Sequence, residues 1–182
     1  MEIDFKDVLI IGPNPKRKGG IASVIGLYKE YFNASFFYST NFQNTYLSFL
    51  FFIERIVSLF ILLIIKNRGI KVVHIHGSSQ GSFIRKYILF VICKLLSKKV
   101  VYHIHSGRFH EFYGSSNLFM KFAIKDLINN SCGLIVLSRH WYNYYQEIFK
   151  PKEIFIIPNI ISKPKDYNKD NGLVMDCFAG SF

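Results

Sequence analysis

Short apolar segments rich in β-branched residues alternate along this chain with longer segments that carry a helical pattern of apolar residues. The predicted strands are residues 8–12, 36–38, 71–76, 100–105, 133–138 and 153–157. The predicted helices are residues 20–32, 45–66, 82–96, 117–129 and 139–149. This alternation indicates βαβ units, and continuously apolar strand interiors indicate a sheet that is buried on both faces. The sequence therefore predicts an α/β fold, a Rossmann-like open parallel sheet with helices on both faces.

The charge balance limits the kinds of partner that this chain can bind. Its 182 residues include 23 basic and 12 acidic residues, which give a formal net charge of +11. That excess indicates an anionic partner. The basic residues lie in short scattered groups without an aromatic RNA-binding motif, a zinc finger or a basic zipper, so nucleic acid is not expected. The anionic cytoplasmic surface of a membrane fits better, because it attracts basic clusters.

The cysteines and the N-terminus indicate a cytoplasmic protein. Cys93, Cys132 and Cys177 are widely spaced and form neither a disulfide framework nor a CxxC pair, which fits a reducing compartment. Residues 1–7 carry three acidic residues and no basic n-region, so a secretory signal is not expected.

Residues 46–65 form the most apolar segment of the chain, interrupted only by Glu54, Arg55 and two serines. On scales of membrane-insertion free energy, each of the two central charges costs about 2.5–3.5 kcal/mol. Each of roughly fifteen apolar residues contributes about 0.3–0.6 kcal/mol in favour of insertion, so the two sums nearly cancel. At about 100° per residue, the polar side chains fall within one sector roughly 120° wide. The pattern predicts an amphipathic helix that is heavily buried or touches a membrane, and that does not span it.

The first predicted strand runs directly into the loop 12–20, which ends in Gly19 and Gly20 before the first helix. Glycines at such a turn let backbone N–H groups approach a phosphate at the helix N-terminus. The loop contains neither a GxGxxG nor a P-loop lysine motif, so ordinary dinucleotide and NTPase sites are not indicated. A phosphate-binding loop and a flexible turn both remain open at this point.

Two predicted strands end in His-x-His, with His74 and His76 in one and His103 and His105 in the other. Ligands of open α/β sheets bind beyond the carboxyl ends of the strands, near the point where strand order reverses. If the order is 2-1-3-4-5, the glycine loop, His76 and His105 converge on one crevice. We expect His74 and His103 to be hydrogen-bonded residues within the sheet. No Cys, Asp or Glu completes a ligand pattern beside them, so a zinc site is not expected.

Polar side chains in a predicted loop follow His105. Arg108 is suited to pair with a phosphate or carboxylate, and His110 or Glu111 to contact a hydroxylated ligand. The same spacing also fits a surface loop with one exposed basic residue. Ser138, at the end of the next strand, is either a ligand contact or a helix N-cap. No motif for covalent catalysis is present in the sequence.

Five short motifs, in order and in spacing, resemble the N-terminal half of a GT-B-fold, retaining family-4 glycosyltransferase. They are Gly19-Gly20-Ile21-Ala22, residues 72–76, residues 100–107, residues 135–138 and Ile157-Pro158-Asn159. The resemblance covers almost the whole chain and is nearest to bacterial surface-polysaccharide enzymes. It implies a peripheral protein at the inner face of the cell membrane, which transfers a sugar from a nucleotide-sugar donor to a sugar or lipid-linked acceptor. It implies no metal and no other cofactor.

The resemblance also assigns roles to individual residues. Gly19 and Gly20 match the loop whose backbone approaches the donor diphosphate. His105 matches the strand-end histidine that contacts the transferred sugar, and residues 108–113 match an acceptor-side loop. Asn159 matches the Asn of the turn before the interdomain linker.

In that family a second Rossmann domain binds most of the donor nucleotide, and catalysis occurs between the two domains. We therefore expect residues 1–162 to form the acceptor-side domain, residues 163–172 a linker, and residues 173–182 only the opening strand of the second domain. Without that domain, half of the electrostatic stabilisation of the leaving diphosphate is missing. The chain alone is expected to be inactive or nearly so, unless a partner chain supplies the missing domain.

Two other interpretations use the same residues. A non-catalytic basic Rossmann module would bind a membrane surface or an anionic ligand through its positive charge and the helix at 46–65. A generic nucleotide-binding domain fits less well, because Ser39-Thr40-Asn41 stands where an acidic ribose-binding residue would end the second strand.

Overall fold

The computed structural model describes residues 5–40, 45–66, 69–79 and 81–159. Six parallel strands form one open sheet in the order β2-β1-β3-β4-β5-β6. The strands are β1 (Val8–Pro13), β2 (Ser35–Thr40), β3 (Val72–Gly77), β4 (Lys99–Ile104), β5 (Gly133–Val136) and β6 (Ile154–Ile156). The helices are α1 (Gly20–Tyr31), α2 (Thr45–Ile61), α3 (Gly81–Leu95), α4 (Phe109–Ser115), α5 (Leu118–Asn130) and α6 (Arg139–Ile148). A π-helical turn, Leu62–Lys66, continues α2.

The predicted α/β fold is confirmed, and each predicted strand is present within two residues of its predicted ends. Alternate residues of each strand point to opposite faces of the sheet. One face carries the larger core, to which α2, α3, α5 and α6 contribute buried side chains. On the other face, Val24, Ile25 and Tyr28 of α1 pack against Ile10 of β1.

The prediction of a loop after His105 is wrong, because residues Phe109–Ser115 form the two-turn helix α4. Phe109 is completely buried and packs edge to face against Phe83 of α3, which fixes the first turn of α4 on the core. This tertiary contact outweighs the weak helical pattern of so short a segment.

Strand order reverses beside β1, and this reversal places the candidate site. From β1 the chain passes through α1 to β2 on one side, and then returns through α2 to β3 on the other side. In β1, Ile10 lies between Phe36 of β2 and His74 of β3. The crevice at the carboxyl ends of β1 and β3 is therefore the switch point at which open α/β sheets bind ligands.

Helix α2 and the π-helical turn after it pack Phe52, Leu59 and Leu63 into the core and leave other apolar side chains in contact with solvent. The exposed ones follow a helical spacing and form what we call the α2 stripe: Leu50, Ile53, Val57, Phe60, Ile61 and Ile64. None of the helices in the described ranges combines the length and the apolar character that crossing a bilayer requires. The predicted linker and the predicted start of a second domain lie outside the described residues.

Candidate functional site

His74 and His76 of β3, His103 of β4, and His105, which directly follows β4, lie together on the face of the sheet that α1 covers. His76 is paired in register with His103, and the rings of His103 and His105 stack with centroids 3.9 Å apart. Tyr28 of α1 lies edge-on against His76, at 5.2 Å between ring centroids. The His-x-His sequences thus produce one continuous row of imidazoles that runs toward the switch point.

A chain of hydrogen bonds connects this row to the surface. His76 Nδ1 lies 2.7 Å from His105 Nε2, and His105 Nδ1 lies 2.8 Å from Asn159 Oδ1. The amide oxygen of Asn159 can only accept, so His105 donates from Nδ1 and accepts at Nε2 from the Nδ1–H of His76. The predicted convergence of His76 and His105 is present, and Asn159, exposed to solvent, forms the outer end of the chain.

Burial keeps these histidines neutral at physiological pH. It lowers the pKa of His105 to about 4, although the hydrogen bond from His105 to Asn159 acts in the opposite direction. Burial also lowers the pKa of His76 well below its usual range, and neighbouring His74 adds to that effect. Neutral imidazoles are suited to hydrogen bonding with hydroxyl groups, and not to pairing with an anion.

The expectation that His74 and His103 are hydrogen-bonded is wrong. Nε2 of His74 and both ring nitrogens of His103 are buried without a hydrogen-bond partner. Ring nitrogens of His74, His76 and His103 lie within 4.8 Å of one another, which is close enough to suggest metal ligands. The rings of His74 and His103 are nearly parallel, however, with an interplanar angle of 8°. Because each lone pair lies in its ring plane, an ion bound in the plane of one ring would lie outside the plane of the other.

The glycine loop leads from β1 to the start of α1 at the same crevice. Gly19 has a φ of 146°, a conformation that favours glycine, and no side chain caps the helix. A Cβ at Gly19 or Gly20 would meet no atom within 4 Å, so the space in front of the helix is open. The N-terminus of α1 is therefore uncapped by any side chain and open at these two glycines.

Sequence reasoning missed Lys86, the most deeply buried charged residue among those described. It lies on α3 with a side chain only 2% exposed, and its ammonium group donates a hydrogen bond to Ser39 Oγ at the end of β2. Burial and the neighbouring Arg85 lower the pKa of Lys86 to about 7. The sequence carried a signal, because Lys86 stands between Phe83 and Phe90 on the buried face of α3.

Of the residues predicted on the acceptor side, Arg108 is the N-cap of α4, and His110 and Glu111 lie in its first turn. Arg108 Nε pairs with Glu111 Oε2 at 2.9 Å on the exposed side of the helix. His110 lies 3.0 Å from the carbonyl oxygen of Gly107, and its ring packs against Trp141 of α6. Only two residues, Ser106 and Gly107, separate His105 from Arg108, so α4 begins at the same edge of the sheet as the crevice.

Ser138 occupies the N-cap position of α6, but its hydroxyl group makes no capping hydrogen bond. A cavity of about 370 Å³ lies between the end of α6 and β6, lined by Tyr142 and Lys152 among others. It is at the amino edge of the sheet and so belongs to the opposite end of the domain from the crevice.

No protein-family model matches this chain, and no curated protein matches it either. The structure gives the fold as a Rossmann-like α/β domain, and the function must therefore be argued from the crevice itself.

Proposed function

We propose that this chain is the N-terminal, acceptor-side part of a glycosyltransferase that acts in the synthesis of cell-surface polysaccharide. It would take part in moving a sugar from a nucleotide-sugar donor to a sugar or lipid-linked acceptor. The observation that carries the proposal is the hydrogen-bonded chain of His76, His105 and Asn159 at the switch point, beside the open glycine loop.

His105 is the group proposed to contact the transferred sugar. Its imidazole is neutral and is held on one side by His76, so its orientation is fixed before a ligand arrives. The partner on the other side, Asn159, is exposed, and a sugar hydroxyl can replace it as acceptor of the Nδ1–H. In this proposal, the hydrogen bond from His76 orients the ring of His105, and Asn159 accepts the Nδ1–H of His105 until a sugar hydroxyl replaces it.

The donor diphosphate is proposed to lie against Gly19 and Gly20, where the uncapped N-terminus of α1 favours negative charge. The proposal assigns the rest of the donor nucleotide to a second domain, supplied by further sequence or by a partner chain. No metal or other cofactor has a role in it. Arg108, His110 and Glu111 are placed on the acceptor side, at the start of α4.

Peripheral attachment to the cytoplasmic face of the cell membrane is part of the same proposal. It is supported by the α2 stripe and by the net charge of +11, which suit an anionic lipid surface. Helices of parallel βα units begin at the carboxyl edge of the sheet, so the first turns of α2, α3 and α5 lie at the end that holds the crevice. Several exposed apolar side chains lie within the first two turns of these helices: Leu50, Ile84, Leu118, Phe119 and Phe122.

The proposal is tested in the cell that makes this protein, because a donor and an acceptor need not be known in advance. The gene is deleted, and surface polysaccharide and lipid-linked precursors are analysed by mass spectrometry. We expect one sugar to be lost, and to be restored by the natural chain and by His140→Ala, which alters an exposed histidine of α6. His105→Ala should not restore it. An unchanged polysaccharide after deletion, or full restoration by His105→Ala, would refute the proposal.

A second candidate function, a non-catalytic module that binds membranes, is favoured by the α2 stripe alone. The two candidates differ in what they require of His105, which lies in the crevice. For a membrane module, His105→Ala would keep both its affinity for vesicles and its function in the cell. For a glycosyltransferase, the variant would keep vesicle binding and lose the sugar.

A further inference from the structure

A group of basic side chains lies at the switch point and is not used by the proposed sugar contacts. Lys86 of α3 donates to Ser39 Oγ, and Ser39 Oγ donates to the carbonyl oxygen of Gly12, at 3.3 Å. Lys86 is therefore held across the carboxyl ends of β1 and β2. Its charge also contributes to lowering the pKa of His76, at the end of β3. These contacts place the ammonium group directly beneath the crevice.

Two arginines lie near this lysine. Arg85, the preceding residue of α3, is half-buried, and its Nε atom is buried without a hydrogen-bond partner. Arg17 belongs to the glycine loop that leaves the carboxyl end of β1, and Arg85 lies near the start of α3, which follows the carboxyl end of β3, so both arginines lie at the same edge of the sheet. Burial lowers the pKa of Arg85, and the charge of Arg17 lowers it further. Arg17 and Arg85 are each partly exposed, whereas Lys86 is buried.

No acidic side chain balances these three charges within the described part of the chain. Its ion pairs join Arg55 to Glu54, Lys71 to Asp7 and Arg108 to Glu111. A buried cation without a counter-ion is unfavourable, and so are cations that lie close together. An anion bound between the two arginines would offset both costs, since charges interact strongly where water is excluded.

We propose that Arg17 and Arg85 bind the diphosphate of a ligand, with the buried amino group of Lys86 close to them. Arginine suits this role because its planar group donates two parallel hydrogen bonds to phosphoryl oxygens. The inference rests on the proposed function, which offers two sources of this chemistry. One is the nucleoside diphosphate of the donor, and the other is a prenyl diphosphate that carries the acceptor sugar.

Calorimetric titration of the full chain with inorganic pyrophosphate tests the site without any transfer reaction. We expect binding that Arg17→Gln and Arg85→Gln each weaken by about ten-fold, the loss of one charged hydrogen-bonding partner. The matched control is Lys125→Gln, which removes an equal charge from an exposed position on α5 and should leave binding unchanged. Absence of pyrophosphate binding, or equal losses in all three variants, would overturn the proposal.

Lys86 provides a second readout. Its pKa of about 7 means that much of it is neutral slightly above neutral pH, and a bound anion should favour its protonated form. Titrations in buffers of different ionisation enthalpy should therefore report proton uptake on binding, and Lys86→Met should abolish that uptake. If Lys86→Met fails to fold, two other measurements test the role of Lys86. They are the proton uptake when the natural chain binds pyrophosphate, and the loss of that uptake in Arg85→Gln. Because pyrophosphate also titrates near neutral pH, the comparison between the two chains decides: equal proton exchange in the natural chain and in a folded Lys86→Met would contradict the role given to Lys86.

Titrations with UDP and with farnesyl diphosphate then separate the two sources. Tighter binding of the prenyl ligand assigns the site to the acceptor, and tighter binding of UDP assigns it to the donor; either result requires the same arginines. Failure of this inference is distinguishable from failure of the proposed function. If Arg85→Gln loses pyrophosphate binding and deletion of the gene leaves the polysaccharide unchanged, the anion site stands and the glycosyltransferase proposal falls.

Discussion

Gly77 follows His76 and leaves room for the side chain of Tyr102 in the neighbouring strand. A Cβ at Gly77 would overlap the phenol ring, with Cε2 2.6 Å away, and the ring has no free space because Tyr102 is fully buried. Gly77→Ala is therefore expected to lower the free energy of unfolding by about 1–3 kcal/mol, the usual cost of overpacking. Urea denaturation measures this loss.

Gly114 in α4 provides the matched control for that substitution. A Cβ at Gly114 would meet no atom within 4 Å, so Gly114→Ala should raise stability by up to about 1 kcal/mol through helix propensity. Equal effects of the two substitutions would show that the packing of Tyr102 against Gly77 does not constrain this edge of the sheet.

How far the candidate site could be predicted depends on whether each residue's role is local or tertiary. His76 and His105 end two strands, and the period of a strand is enough to place both at the carboxyl edge. The hydrogen bond between His105 and Asn159 joins residues 54 positions apart, and no local pattern indicates it. The role of Lys86 could be predicted only in part. Helical spacing places Lys86 on the buried face of α3, but only the tertiary fold brings Ser39 to its ammonium group.

Among the elements, strands were easier to predict than the short helix α4. Strands β1 and β5 have continuously apolar interiors, as expected of strands buried on both faces of a sheet, and such a pattern depends little on the partner strand. Helix α4 has seven residues and includes Gly114, so its own helical tendency is low. Its position depends on the burial of Phe109, which a single-sequence pattern does not reveal.

Helix α2 carries a prediction that concerns its exposed side. If the α2 stripe contacts a membrane, Val57→Glu and Phe60→Glu should each weaken binding to vesicles containing anionic lipid by about ten-fold, since each removes an apolar contact with the lipid and adds charge repulsion. Co-sedimentation with vesicles measures the affinity. The control is Leu95→Glu, which adds the same charge at a more exposed apolar residue near the end of α3. A similar loss in Leu95→Glu would show that net charge alone governs binding.

At the scale of the whole molecule, the buried bases couple folding to pH. The folded pKa values of His74, His103 and His105 are lowered to about 3, 2 and 4, while unfolded histidine titrates near 6.5. His76 is lowered in the same direction. As the pH falls below about 6.5, the unfolded chain takes up protons that the folded chain does not bind. The stability that comes from neutral histidines is therefore complete above that pH and is lost toward pH 4.

The size of this effect follows from the number of protons involved. Each proton contributes about 1.4 kcal/mol per pH unit, so four histidines acting together would approach 5 kcal/mol per unit below about pH 5.5. Because small domains have stabilities of about 5–15 kcal/mol, this one should unfold in mild acid. The measurement is the free energy of urea unfolding between about pH 5 and pH 8. His74→Gln and His103→Gln should each reduce the slope by about one proton, whereas His140→Gln, at an exposed position, should leave it unchanged. A slope that none of the row variants alters would mean that the four imidazoles are not held neutral by burial, and the neutral role given to His105 would then fail with it.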